Sequence, residues 1–247
     1  MEEPRVLEVE APAVRLTALT WGPDDGPIAL LLHGFPDTPH GFRTLAPHLV
    51  AAGYRVVAPF MRGYAPSGLP SDGAYHIGAL MDDALRVHAA SNPTADDVVI
   101  GHDWGACVAN GLAAMPDSPF RKAGIMSVPP SPTLRQSAGE VLPLLPAQLR
   151  RSWYMGYFQL PFAPERSGSW IVPRLWRRWS PGYPAAEDSG RVMAARGAPA
   201  RWRPAARAPR ARRPPQPASA RASSRAGYGR AAARRSAPSA CACSPRR

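Results

Sequence analysis

The stretch Val98-Val99-Ile100-Gly101-His102-Asp103-Trp104-Gly105-Ala106-Cys107-Val108-Ala109 restricts the possible folds more than any other part of the chain. An apolar β-branched run leads into a tight turn, and a helix-forming run leads out of it. The pattern predicts a strand–turn–helix elbow that presents one side chain, Asp103. Gly101 and Gly105 let the backbone bend sharply and let helix and strand approach closely.

The rest of the first half repeats the same alternation. Val6–Val9 and Val14–Thr20 read as strands, and Ile28–Leu32 as a strand buried on both faces. A helix over 41–52, a strand over 55–59, a helix over 75–90, the strand at 98–100 and another over 123–128 follow. Strands alternating with helices predict an α/β fold with a doubly wound, mostly parallel sheet. From about Pro129 the texture shifts to Pro, Trp, Tyr and Leu, as in Trp153-Tyr154-Met155-Gly156-Tyr157-Phe158. Short helices forming a cap are expected there, with ordinary amphipathic packing as the plain alternative for most of these aromatics. The expected organisation is a core over 1–129, a cap over 130–193 and a tail over 194–247.

The tail differs in kind. Residues 194–247 contain no Leu, Ile, Val, Phe or Met, and such a segment cannot bury enough apolar area to offset its conformational entropy. The charge divides at nearly the same place. Residues 1–188 hold 15 basic and 18 acidic residues, net −3, while residues 189–247 hold 15 arginines and no acid, net +15. A tail of this kind binds nucleic acid only by sequence-blind phosphate neutralisation. Its composition is also what a GC-rich coding sequence yields when read out of frame, with loss of the last elements of the fold. Three cysteines give no disulfide framework, and Cys241-Ala242-Cys243 is a weak metal signal. No apolar segment suggests a secretory signal or membrane span, so a cytoplasmic location is the default. No cofactor or metal is implied.

The motif His33-Gly34-Phe35-Pro36, the loop Arg62-Gly63-Tyr64 and the elbow Gly101-His102-Asp103-Trp104-Gly105 resemble, in order and spacing, the α/β-hydrolase superfamily. Within it they resemble the epoxide hydrolase and haloalkane dehalogenase group. The resemblance covers roughly residues 5–192. A carboxylate at the elbow suits displacement at a saturated carbon bearing a leaving group, giving an alkyl ester of the enzyme that water then hydrolyses. A helix-capping Asp103 is the competing structural reading. The resemblance implies that the oxyanion of ester hydrolysis forms on an Asp103 oxygen, with the N–H groups of Trp104 and Phe35 as donors. It implies a cap tyrosine as proton donor to an opening epoxide. Tyr154 matches that position, with Tyr157 competing and a core role as the plain alternative. The implied substrate is small and apolar, an epoxide with a halide as the alternative. The rival readings are a non-catalytic hydrolase-fold protein that binds a small molecule under its cap, and a nucleic-acid binder acting through its basic tail.

The sequence also departs from the group, which needs a late histidine to activate water and an acid to orient it. The six histidines are His33, His40, His48, His76, His88 and His102, and none matches that base. His33 belongs to the oxyanion loop, His102 points away from the reacting side, and the other four are expected on the surface. No orienting acid is assigned.

Overall fold

The computed structural model describes residues 3–128, 138–158, 160, 162–197 and 201, all within one compact unit, Met1–Arg210. Six strands form one sheet in the order β1-β2-β4-β3-β5-β6. These are β1 (Arg5–Glu10), β2 (Arg15–Trp21), β3 (Ile28–Leu32), β4 (Arg55–Pro59), β5 (Val98–His102) and β6 (Lys122–Met126). The first two are antiparallel to their neighbours, whereas β4, β3, β5 and β6 run parallel. β3 and β4 are buried at every position, as the apolar runs Ile28–Leu32 and 56–59 require once helices cover both faces, and the buried Arg55 that opens β4 donates to the Ser91 carbonyl at 3.3 Å. The expected α/β architecture is thus present as a mixed sheet.

Helix α1 spans Ala46–Ala51, α2 spans Ile77–Ala89 and α3 spans Trp104–Ala113. The single helix expected over 41–52 is in fact a 3-10 turn, Pro39–Phe42, followed by α1. Pro47 supplies the physical reason, because a residue without an amide hydrogen fits a first helical turn at no cost in hydrogen bonds and a helix interior only at a cost. In α2, Leu80, Ala84 and Val87 face the core, and the His76 side chain caps the start by accepting the Ala79 N–H at 3.1 Å.

Beyond the sheet come α4 (Ala138–Val141), a 3-10 turn (Leu142–Leu144), α5 (Leu145–Arg151), α6 (Trp153–Tyr157), α7 (Ala163–Trp179) and α8 (Ala186–Arg196). Ile171, Val172 and Leu175 of α7 and Val192 of α8 form a second apolar cluster that packs against Phe35 of the core. The tail boundary read at residue 194 falls inside α8. Ala195 is buried, and its carbonyl accepts the Ala65 N–H at 2.8 Å. Alanine and arginine are good helix formers, so a run without aliphatic residues still completes this helix. The rest of the tail, including Cys241 and Cys243, lies outside the described residues, except Gly197 and Arg201.

His88 corrects the expectation of a surface residue. It is buried, and its Nε2 lies 2.7 Å from Asp97 Oδ2. Asp97 also accepts the Ile28 N–H at 2.7 Å, the Thr94 N–H at 2.8 Å and the Thr94 hydroxyl at 2.7 Å. Burial pushes the Asp97 carboxyl up, but these donors outweigh it and hold the group below its usual range. The cluster ties the starts of β3 and β5 to the end of α2. Among the described residues, no helix is long and apolar enough to cross a membrane.

Candidate active site

Asp103 occupies the bend between β5 and α3 with φ 55° and ψ −116°. A non-glycine residue in such a conformation costs on the order of 1–3 kcal/mol. The glycines beside it have another function, close approach. A side chain at Gly105 would strike the Leu32 carbonyl, and one at Gly101 would strike the Gly105 backbone. The sharp turn falls on Asp103 itself, and the flanking glycines let α3 sit directly over β3 and β5. No side-chain cap bond runs from Asp103 to α3. Its carboxyl turns toward the loop after β3, where a side chain at Gly34 would meet it.

That loop delivers one donor. The Phe35 N–H lies 2.9 Å from Asp103 Oδ1. The same peptide unit is held at its other end, since the Gly34 carbonyl accepts the Asp37 N–H at 3.2 Å and lies 2.9 Å from His33 Nδ1. His33 is fully buried, and its Nε2 accepts the Met61 N–H at 3.1 Å. The Met61 bond requires Nε2 without a proton, so Nδ1 carries it and donates to Gly34. Burial pushes the imidazole down to about 4, against the bond to Gly34, with Arg196 and His102 adding in the same direction as burial. His33 is therefore a neutral strut between the segment that follows β4 and the Phe35 loop. Pro36, next in the motif, is buried. Of the two expected donors, Phe35 is the one in hydrogen-bond contact with Asp103 among the described residues. The Trp104 N–H begins α3 beside it, and the Trp104 side chain is exposed.

The Arg62-Gly63-Tyr64 loop closes another side. Arg62 is buried and grips both Asp83 oxygens, at 2.6 and 2.7 Å, and the Ala74 and Ala79 carbonyls at 2.8 and 3.1 Å. Tyr64 packs edge-on against His33, and the Arg196 guanidinium lies 4.6 Å from the Tyr64 ring and 5.4 Å from the Phe35 ring.

From the cap side, Tyr154 is half-buried against Trp179, with ring centroids 4.8 Å apart. Burial and then the Asp103 carboxylate push its hydroxyl above the usual phenol range. Tyr157, the competing candidate, is turned away. Its hydroxyl lies 2.6 Å from Ser167 Oγ and donates to the Ala163 carbonyl at 3.4 Å, both on α7.

Sequence reading missed Asp37. Its Oδ1 accepts the Thr38 N–H at 2.7 Å, and its carboxyl packs against Gly41. Burial raises it to about 7, opposed by the Thr38 N–H, with Asp188 and Asp103 adding to the rise and Arg43 opposing it. The neighbouring clasp was missed too. Arg43 bonds both oxygens of buried Asp188, and Tyr183 donates to Asp188 Oδ2 at 2.8 Å. Among the described residues, no group of three or more His, Cys, Asp or Glu side chains could hold a metal ion.

Residues 27–154 match the family model for the alpha/beta hydrolase fold. The chain is 38% identical over 160 residues to AB hydrolase superfamily protein YfhM of Bacillus subtilis, spanning 64% of this chain and 54% of that protein. It is 38% identical over 157 residues to epoxide hydrolase B of Mycobacterium tuberculosis, spanning 58% and 44% respectively. The crystal structure of epoxide hydrolase A from Mycobacterium thermoresistibile superimposes with a TM-score of 0.57 at 31% identity, covering 72% of this chain and 56% of that one. The chain spans about half the length of the curated relatives it matches. With the mixed sheet, the Asp103 bend and the matched span all in agreement, this chain belongs to the alpha/beta hydrolase fold family.

Proposed function

We propose that this chain opens small apolar epoxides by covalent displacement on Asp103. The observation that carries the reading is the Phe35 N–H at 2.9 Å from Asp103 Oδ1. That bond leaves Oδ2 as the oxygen that attacks carbon. The C–O bond of the epoxide breaks as the new ester bond forms, and the Tyr154 hydroxyl gives its proton to the leaving alkoxide. Burial and the nearby carboxylate keep Tyr154 protonated at neutral pH, which suits a donor. Oδ1 is then the ester carbonyl oxygen. When water attacks Cγ, negative charge develops on Oδ1, where the Phe35 N–H already points and the Trp104 N–H supplies the second donor. Collapse of that intermediate expels Oδ2 with the product and leaves the oxygen of water in Asp103.

The second half of this cycle is slow in this chain. His33 has both ring nitrogens engaged and is held neutral, while His88 is committed to Asp97. His48 and His76 are exposed, and His76 is occupied as a cap. His40 lies against Phe60, with burial, then Arg191 and Arg43, holding it below its usual range. His102 ends β5 on the strand side of the bend. None is available to take a proton from water attacking Asp103. Incubation with a small apolar epoxide in heavy-oxygen water tests the cycle. The expected result is fast formation of one ester per chain, slow release of diol, and label entering Asp103 before the diol. Label appearing in the diol on the first turnover sinks the reading.

A further inference from the structure

The Phe35 donor does not stand alone. The indole N–H of Trp176, on α7, donates to the Pro36 carbonyl at 3.0 Å. Pro36 C=O and Asp37 N–H belong to one peptide unit, and that N–H donates to the Gly34 carbonyl at 3.2 Å. Gly34 C=O and Phe35 N–H belong to the next unit, and that N–H reaches Asp103 Oδ1 at 2.9 Å. Three hydrogen bonds therefore run in series, with every donor pointing the same way, from a cap helix to the oxygen on which charge develops. Bonds aligned in this manner polarise one another, and each fixes the plane of the peptide it touches. The arrangement matters because Gly34 gives the backbone wide freedom beside the very N–H that must be aimed.

The head of the series is itself fixed. Trp176 stacks on Tyr183, with centroids 5.9 Å apart and planes at 25°. The Tyr183 hydroxyl is bonded to Asp188 at 2.8 Å and accepts from Arg43 at 3.0 Å. Arg43 follows the same loop, so the clasp holds the segment 36–43 at both ends.

We propose that Trp176 is a positioning residue: through the Pro36–Asp37 and Gly34–Phe35 peptide units, its indole N–H orients and polarises the oxyanion donor at Asp103. This rests on the function proposed above, in which the charge on Oδ1 falls during ester formation and grows during ester hydrolysis. Among the described residues the indole N–H of Trp176 bonds to Pro36 and not to Asp103, so its effect passes through the two peptide units.

The test is Trp176→Phe in the full chain, which keeps an aromatic ring and removes the donor. Two measurements are made. Amide hydrogen exchange reads Phe35 and Asp37 against Val99 of β5. Mass spectrometry with a small apolar epoxide reads formation and hydrolysis of the Asp103 ester separately. Loss of one neutral hydrogen bond from the series is expected to speed Phe35 exchange about tenfold while Val99 is unchanged. Ester hydrolysis is expected to slow about tenfold, several times more than ester formation. Unchanged Phe35 exchange, or equal acceleration at Phe35 and Val99, overturns the proposal. So does equal slowing of the two chemical steps, which is what a merely structural tryptophan gives. If the unaltered chain forms no ester, the proposed reaction fails, and the exchange result still decides the role of Trp176. Should the phenylalanine variant not fold, replacement of Trp176 by benzothienylalanine, isosteric but without the N–H, decides by the same readings.

Discussion

Asp37→Asn should make the fold more stable as pH rises, although it removes a charge beside Arg43. The wild-type carboxyl is taken from water, and burial leads the causes that raise it from 3.8 to about 7. The folded chain therefore holds the proton more tightly than the unfolded chain. The stability this confers is fully present below the unfolded value and is lost as pH rises through about 7. The difference of about three pH units corresponds to about 4 kcal/mol, an upper figure for the penalty of an ionised Asp37. Asparagine keeps a carbonyl for the Thr38 N–H and has no charge to bury. Denaturant unfolding of both chains at pH 4.5, 6 and 8 measures the gap. The variant should gain on the wild type by roughly 1.4 kcal/mol per pH unit across the window and then level off above pH 7. Parallel stability curves from pH 4.5 to 8 would refute the reasoning.

Other outcomes follow from the same geometry. His33→Gln should remove a contribution of opposite sign. The folded imidazole sits at about 4 against an ordinary 6.5, so its contribution is present above 6.5 and is lost as pH falls toward 4, by about 3 kcal/mol in denaturant unfolding. Because His33 and Asp37 act oppositely over nearly the same range, the wild-type stability profile should be shallower than that of either variant. Arg62→Met leaves Asp83 buried without its partner, and calorimetry should show a loss of about 3–5 kcal/mol. Tyr154→Phe should slow ester formation with an epoxide by 10²-fold or more, roughly the value of a general acid, while leaving alkylation by a small alkyl halide nearly unchanged. Equal slowing with both reagents would mean that Tyr154 packs rather than donates.

Much of the candidate site was legible because its residues are local in sequence. Gly101, Asp103 and Gly105 lie within five residues, and the requirement for close approach over Leu32 leaves a direct mark on composition. His33, Gly34, Phe35 and Pro36 are legible for the same reason. The clasp of Arg43, Tyr183, Asp188 and Trp176 left no such mark, because its members lie up to 145 residues apart and meet only through folding. Nothing in the sequence around Asp188 sets it apart from the other acids of the chain. Asp37 carried no signal in the sequence, since its burial depends on packing against Gly41 that only the fold brings about. His88 was misplaced because its helix position alone did not reveal the carboxylate waiting at Asp97. The helix over 41–52 failed locally. Periodicity outweighed Pro47, which was itself sufficient to delay the start of α1.

Epoxide opening as proposed requires a bond between Asp103 and a carbon atom of the substrate. Peptide mapping by mass spectrometry, after brief exposure of the chain to a small apolar epoxide, tests it most directly. The predicted result is a gain equal to the mass of the epoxide on the peptide containing Asp103, absent from the Asp103→Asn chain. No adduct at Asp103, or one that persists elsewhere when Asp103 is replaced, would contradict it.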